Sequence, residues 1–275
     1  MINEISSQTK NRSLFDLTGR VVLATGGNSG IGLGFLLGCA KQGADVIIWD
    51  INPAGHDGTI AQLRDAGARR CLAQTVDVSD EAAVISAFRD AVGEMGRVDC
   101  VLANAGFTSR APSFPDLTSE TYHALMNVNL HGAFYTLREA TRHMRDRAKA
   151  GDCGGSIVVT GSLSIFHGLQ GMEHYAGAKG ALAAMVKGLA VEMGQFGVRA
   201  NMLAPGFIMT GMTGGAGGGA ELDKVIERMS SITPLGRPGT ISDIEGPAAY
   251  LASDASQFHT GDILVIDGGR HVKSL

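Results

Sequence analysis

The chain has 275 residues, 44% of them apolar, with 39 glycines and a formal charge of −4, a composition that suits a packed α/β protein rich in tight turns. The charge balance leaves no basic footprint for nucleic acid, and no apolar run nears the roughly 20 residues a membrane helix needs. Residues 1–16 (MINEISSQTKNRSLFD) read as a flexible polar arm without the apolar centre of a signal peptide, and 17–275 as one domain. Short β-rich runs then alternate with helix-period segments. RVVLAT (20–25) precedes a helical stretch over 31–42. DVIIWD (45–50) and CLAQTVD (71–77) follow, then a helix over 81–94. CVLANAG (100–106) leads into a long helix over 119–147, and SIVVTGS (156–162) into another over 173–196. VRANMLAP (198–205) comes before an irregular, glycine-rich stretch at 207–238 that holds a short amphipathic helix at 221–232. A helix over 242–252 and the strand ILVID (263–267) close the chain. Several strands are apolar on both faces, as in a parallel sheet covered by helices, and repeated βα units of this length predict one doubly wound sheet.

TGGNSGIG (25–32) follows the first strand directly and opens the first helix. Gly26, Gly30 and Gly32 are spaced GxxxGxG, which permits a tight turn, close backbone approach and a helix N-terminus that attracts a pyrophosphate. Asp50 ends the second strand, eighteen positions after Gly32, where an acidic residue accepts hydrogen bonds from an adenine-side ribose. Its alternative is to cap a helix starting near Pro53. Asp77, ending the third strand, either caps the next helix or contacts an adenine amino group.

In HYAGAKGALAAM (174–185), Tyr175 and Lys179 stand four apart, on one face of a helix. A second stripe of small residues, Gly177, Ala181, Ala184 and Gly188, would let another helix approach closely.

Cys39, Cys71, Cys100 and Cys153 show no CxxC pair and suggest neither metal binding nor catalysis; a reducing cytoplasm is the expected setting. The eight histidines do not cluster as metal ligands. Among them His131 is displaced from Asn129, His174 reads as structural or solvent-facing, and His167 lies in a loop where it could touch substrate. Ser164 either binds substrate or faces the opposite side of the strand end. Met202, Met209 and Met212 either line an apolar substrate pocket or pack in the core or the lid.

Together these motifs resemble the short-chain dehydrogenases/reductases over residues 17–269. The resemblance rests on TGGNSGIG, ANAG (103–106), VNLHG (128–132), Ser162 in TGSLS, the Tyr175-x-x-x-Lys179 pair, APGFIMT (204–210) and DGG (267–269). It implies a Rossmann-type doubly wound parallel sheet of seven strands, helices on both faces, a homotetramer, and an NAD cofactor. It assigns Tyr175 as general acid/base and Ser162 as the group that holds and polarises the substrate oxygen. Lys179 would bind the nicotinamide ribose and lower the pKa of Tyr175, and Asn129 would hold a water on a proton path to solvent. The cofactor would lie against Gly26, Asn28, Ser29, Gly30, Ile31 and Gly32, with Asp50, Asp77 and Val78 at one end. Asn104, Ala105 and Gly106 would line its channel, and Pro205, Gly206, Ile208 and Thr210 would flank the nicotinamide. Residues 207–238 would form a substrate lid.

The chemistry needs such a pair. A free tyrosine, with a pKa near 10, is about three units too weak as a base at pH 7, and three units correspond to about 4 kcal/mol. A cation one helical turn away favours the phenolate. The function implied is NAD-dependent interconversion of a secondary alcohol, in a polyol, sugar or similar small hydroxy compound, and its ketone. The alternatives are reduction of a 3-oxoacyl thioester, and a non-catalytic dinucleotide sensor on the same fold.

Overall fold

The computed structural model describes residues 13–211 and 220–273. The strands β1 (Val21–Thr25), β2 (Asp45–Asp50), β3 (Cys71–Thr75), β4 (Cys100–Ala103), β5 (Gly155–Thr160), β6 (Val198–Pro205) and β7 (Ile263–Ile266) form one seven-stranded sheet. The order is β3-β2-β1-β4-β5-β6-β7, and every pairing is parallel. Around it lie α1 (Gly30–Ala40), α2 (His56–Asp65), α3 (Glu81–Met95), α4 (Ser119–Met126), α5 (Ala133–Lys149), α6 (Glu173–Met193), α7 (Ala220–Ile232) and α8 (Ser242–Ala252).

The two-residue period of the strands divides the apolar side chains between two cores. Val21 and Leu23 of β1, with Ile47 and Trp49 of β2, pack against α3, α5 and α6. Val22, Ala24, Val46 and Ile48 point the other way and meet α1, α2 and α8. Glycine decides how closely α1 and α8 approach: a Cβ on Gly38 would lie 2.3 Å from the Glu245 carbonyl oxygen, and one on Gly34 2.7 Å from Ile241. Lys41 and Glu245 pair across the same contact. No helix among the described residues is long and apolar enough to cross a membrane.

Two sequence expectations change. The strands β3, β4, β5 and β7 end earlier than their apolar runs, so Asp77, Asn104–Gly106 and Ser162 stand in loops beyond the carboxyl edge, free of the ladder. The helix expected over 119–147 is interrupted by a π-helical turn at Asn127–Gly132. There a Cβ on Gly132 would sit 2.7 Å from Val78. A full helix, α2, follows the turn at Pro53. Of the irregular stretch at 207–238, residues 212–219 lie outside the described residues, as do 1–12 of the arm. The two ends of that stretch meet: Met209 donates to the Gly239 carbonyl at 2.8 Å and Gly239 to that of Phe207 at 2.9 Å.

Candidate active site

The strand order reverses between β1 and β4, and a crevice opens there beyond the carboxyl ends of the strands, as such sheets dictate. The cleft has a volume of about 670 Å³, within the range of small-molecule and cofactor sites. It is lined by Gly26, Ser29, Gly30 and Ile31 of the glycine loop, by Asp50, Asp77 and Val78, and by Asn104–Gly106. Asn129, Ser162, Tyr175, Lys179, Pro205, Gly206, Ile208 and Thr210 also line it. Asn28 and Gly32 do not line it: Asn28 supports Asp50 from behind, and Gly32 is a packing position.

The glycine loop is built for close approach. Gly26 and Gly30 have φ of +65° and +55°, a region side chains disfavour. A Cβ on Gly32 would fall 2.3 Å from the Gly26 carbonyl oxygen, and one on Gly30 3.3 Å from Thr210. Ser29, the N-cap of α1, makes no side-chain capping bond, and no acidic residue sits in the first turn. The helix therefore presents open N–H groups and an uncompensated positive end to the cleft, which fits a pyrophosphate.

Asp50 is held by two backbone donors, Asn28 N to Oδ2 at 3.1 Å and Asn52 N to Oδ1 at 3.0 Å. Each oxygen keeps a further lone pair and Asp50 lines the cleft, which fits a ribose diol. The turn at Pro53 is capped by Asn52, and α3 by Asp80. The capping alternatives for Asp50 and Asp77 are thus taken by other residues. Asp77 instead accepts from the amide and hydroxyl of Ser79. Asn104 ties three strand ends together, donating to the Thr25 carbonyl at 3.0 Å and accepting from Thr160 Oγ1 at 2.9 Å.

Tyr175 and Lys179 project from the first turns of α6 into the cleft, and Ser162 reaches it from the end of β5. Burial pushes the Tyr175 hydroxyl up, opposed by a hydrogen bond with Ser162. Lys179 is buried, donates to the Thr160 carbonyl at 2.7 Å, and has its pKa pushed down to about 8 by desolvation. Its Nζ lies 5.8 Å from the Tyr175 ring centroid. The lysine thus stands beside the tyrosine ring, with its ammonium also held by the carbonyl at the end of β5.

Asn129 is buried, and its side chain accepts from Phe107 N at 3.0 Å and donates to Phe107 O at 2.9 Å. It fastens the loop after β4. Of the two alternatives for His174, the structural one holds: it is buried and bonds Ser109 Oγ at 2.7 Å. Ser164 is buried, and His167 is exposed. Met202 packs in the core, Met209 is absent from the lining, and Met212 lies outside the described residues. Burial pushes the Cys100 thiol up to about 12 and raises that of Cys39, against any nucleophilic use. Sequence reasoning missed Phe107, Leu169, Met172 and Phe207, which line the cleft near Ser162 and Tyr175; they lie in loops without periodicity.

Residues 26–271 match a family model described as enoyl-(acyl carrier protein) reductase. The chain is 35% identical over 260 residues to L-rhamnose 1-dehydrogenase (NAD(P)(+)) of Sphingomonas sp., covering 93% of this chain and 98% of that protein. It is also 35% identical over 253 residues to the 3-oxoacyl-(acyl-carrier-protein) reductase of Chlamydia pneumoniae, covering 92% and 97%. Among solved structures, the gluconate 5-dehydrogenase of Burkholderia cenocepacia, in complex with NADP and tartrate, is 31% identical with a TM-score of 0.82, over 94% of this chain and 98% of that one.

Proposed function

The chain belongs to the short-chain dehydrogenases/reductases, oxidoreductases that interconvert alcohols and ketones with NAD(P), and from this premise we propose how its own residues perform that reaction. The observation that carries the proposal is the meeting of Ser162, Tyr175 and Lys179 in one cleft with the glycine loop. The bound nicotinamide supplies the hydride acceptor or donor. Tyr175 Oη takes the proton of the substrate hydroxyl during oxidation and returns it during reduction. Ser162 holds that oxygen, and Lys179 orients the tyrosine and the cofactor-side ribose. Asn129 acts one step back, by fixing Phe107 at the cleft wall.

Asp50 makes NAD the preferred cofactor, since its carboxylate fits two ribose hydroxyls and repels a 2′-phosphate. Ile51 and Asn52 follow it and bring no cation. A small hydroxy compound, sugar-like substrates included, is the class supported by the similarity to rhamnose and gluconate dehydrogenases. The thioester alternative draws on one of the similar proteins, yet Lys179 is the one basic side chain of the described lining, and it is buried. A sensor would need the glycine loop and Asp50 but not Tyr175 with Ser162. In the assembly, the exposed stripe Gly177, Ala181, Ala184 and Gly188 on α6 forms a helix-to-helix contact of a homotetramer. A Cβ on Gly177 or Gly188 would meet nothing within 4 Å.

The test is NADH formation with a panel of alcohols. Tyr175→Phe keeps the ring volume and removes the proton-transfer group, so turnover falls about 10²–10⁴-fold while NAD binding stays within a few-fold. Retention of more than about a tenth of the parent activity refutes the role of Tyr175.

A further inference from the structure

The substrate end of the cleft, around Ser162 and Tyr175, is walled by Phe107, Leu169, Met172 and Phe207. Besides the two catalytic hydroxyls, Thr108 lines the cleft next to Phe107. The amide and ammonium groups of the cleft each commit part of their hydrogen-bonding capacity to the fold. Both ends of the Asn129 amide serve Phe107. The Asn104 amide is held between Thr25 and Thr160, and Lys179 bonds the Thr160 carbonyl. Asp50 and Asp77 stand over β2 and β3, at the far end. Arg110 is exposed at the rim, its Nη2 3.9 Å from Met172 Sδ, and does not line the cleft.

Resting on the oxidoreductase reading above, we infer that the substrate is a secondary alcohol with an unhydroxylated flank, methyl-terminated or alicyclic, rather than a fully hydroxylated polyol. Against Phe107, Leu169, Met172 and Phe207 a methyl or methylene sheds water favourably, whereas a hydroxyl facing these four side chains sheds it without a replacement partner from them. An apolar pocket discriminates against an added hydroxyl only moderately, by about 10²-fold at most, so the preference is graded.

The experiment compares meso-2,3-butanediol with erythritol, which share a four-carbon chain and an internal diol and differ in methyl against hydroxymethyl ends. Cyclohexane-1,2-diol against myo-inositol forms a cyclic pair. We expect kcat/KM with NAD to be about 10–100-fold higher for the apolar member of each pair, and Leu169→Asn and Met172→Gln to narrow the ratio. Calorimetric titration of the same compounds into the protein–NAD complex reads the preference without turnover. Equal or better use and binding of the fully hydroxylated members by the unmodified protein overturns the inference. Binding that favours the apolar members, with no NADH from any of them, upholds the pocket's selectivity and refutes the oxidoreductase reading instead.

Discussion

Lys179→Met separates catalysis from stability at one position. Lys179 is 4% exposed, and its ammonium is met by the Thr160 carbonyl oxygen at 2.7 Å. Desolvation takes its pKa from 10.5 to about 8, a penalty on the charged form of about 3 kcal/mol. Methionine keeps most of the aliphatic stem and removes that penalty, but forfeits a charge-assisted hydrogen bond of about 1.5–3 kcal/mol. The two effects nearly cancel. Stability at pH 7, measured by urea unfolding without cofactor, should stay within about 2 kcal/mol of the parent, from that near-cancellation. Turnover should fall about 10²-fold or more, with weakened NAD binding. The pH dependence carries a second signature. Between pH 8 and 10.5 the unfolded chain retains the proton that native Lys179 has released, so the parent gains stability relative to the variant as pH rises through this window. A loss beyond about 3 kcal/mol at pH 7, more than the hydrogen bond is worth, would make Lys179 a structural residue. Unchanged turnover and unchanged NAD affinity would remove its role at the site.

Asp50→Ser should narrow a preference for NAD over NADP of roughly 10²–10³-fold in kcat/KM, since two charges 4 Å apart repel by about 4 kcal/mol at an effective dielectric of 20, reduced here by solvent; equal use of both cofactors by the parent would refute the role of Asp50. Ala184→Glu should place a charge in the α6 contact and dissociate the tetramer in light scattering, whereas a monomeric parent at micromolar concentration would refute that contact. Amide exchange over residues 220–238 should slow when NAD and substrate are added together, and unchanged exchange at saturation would count against a lid.

Local pattern determined much of this protein. The alternation of β-rich and helix-period segments placed every strand, because a strand buried on both faces must be apolar throughout. The glycine spacing 26, 30, 32 and the four-residue step from Tyr175 to Lys179 are short-range features, legible because backbone turns and helix faces are set by near neighbours. Long-range pairing decided the rest. The order β3-β2-β1-β4-β5-β6-β7 brings the ends of β1, β2, β4, β5 and β6 to one cleft, and no local periodicity encodes which strands are neighbours. Asn129 found its partner 22 residues away in Phe107, and His174 its partner 65 residues away in Ser109. The apolar wall is drawn from three separate loops, after β4, β5 and β6. The electrostatics of Tyr175 and Lys179 followed the same logic. Their spacing along the helix put them together, but burial shifts their proton affinities, opposed at Tyr175 by Ser162, because desolvation depends on everything the fold packs around a charge.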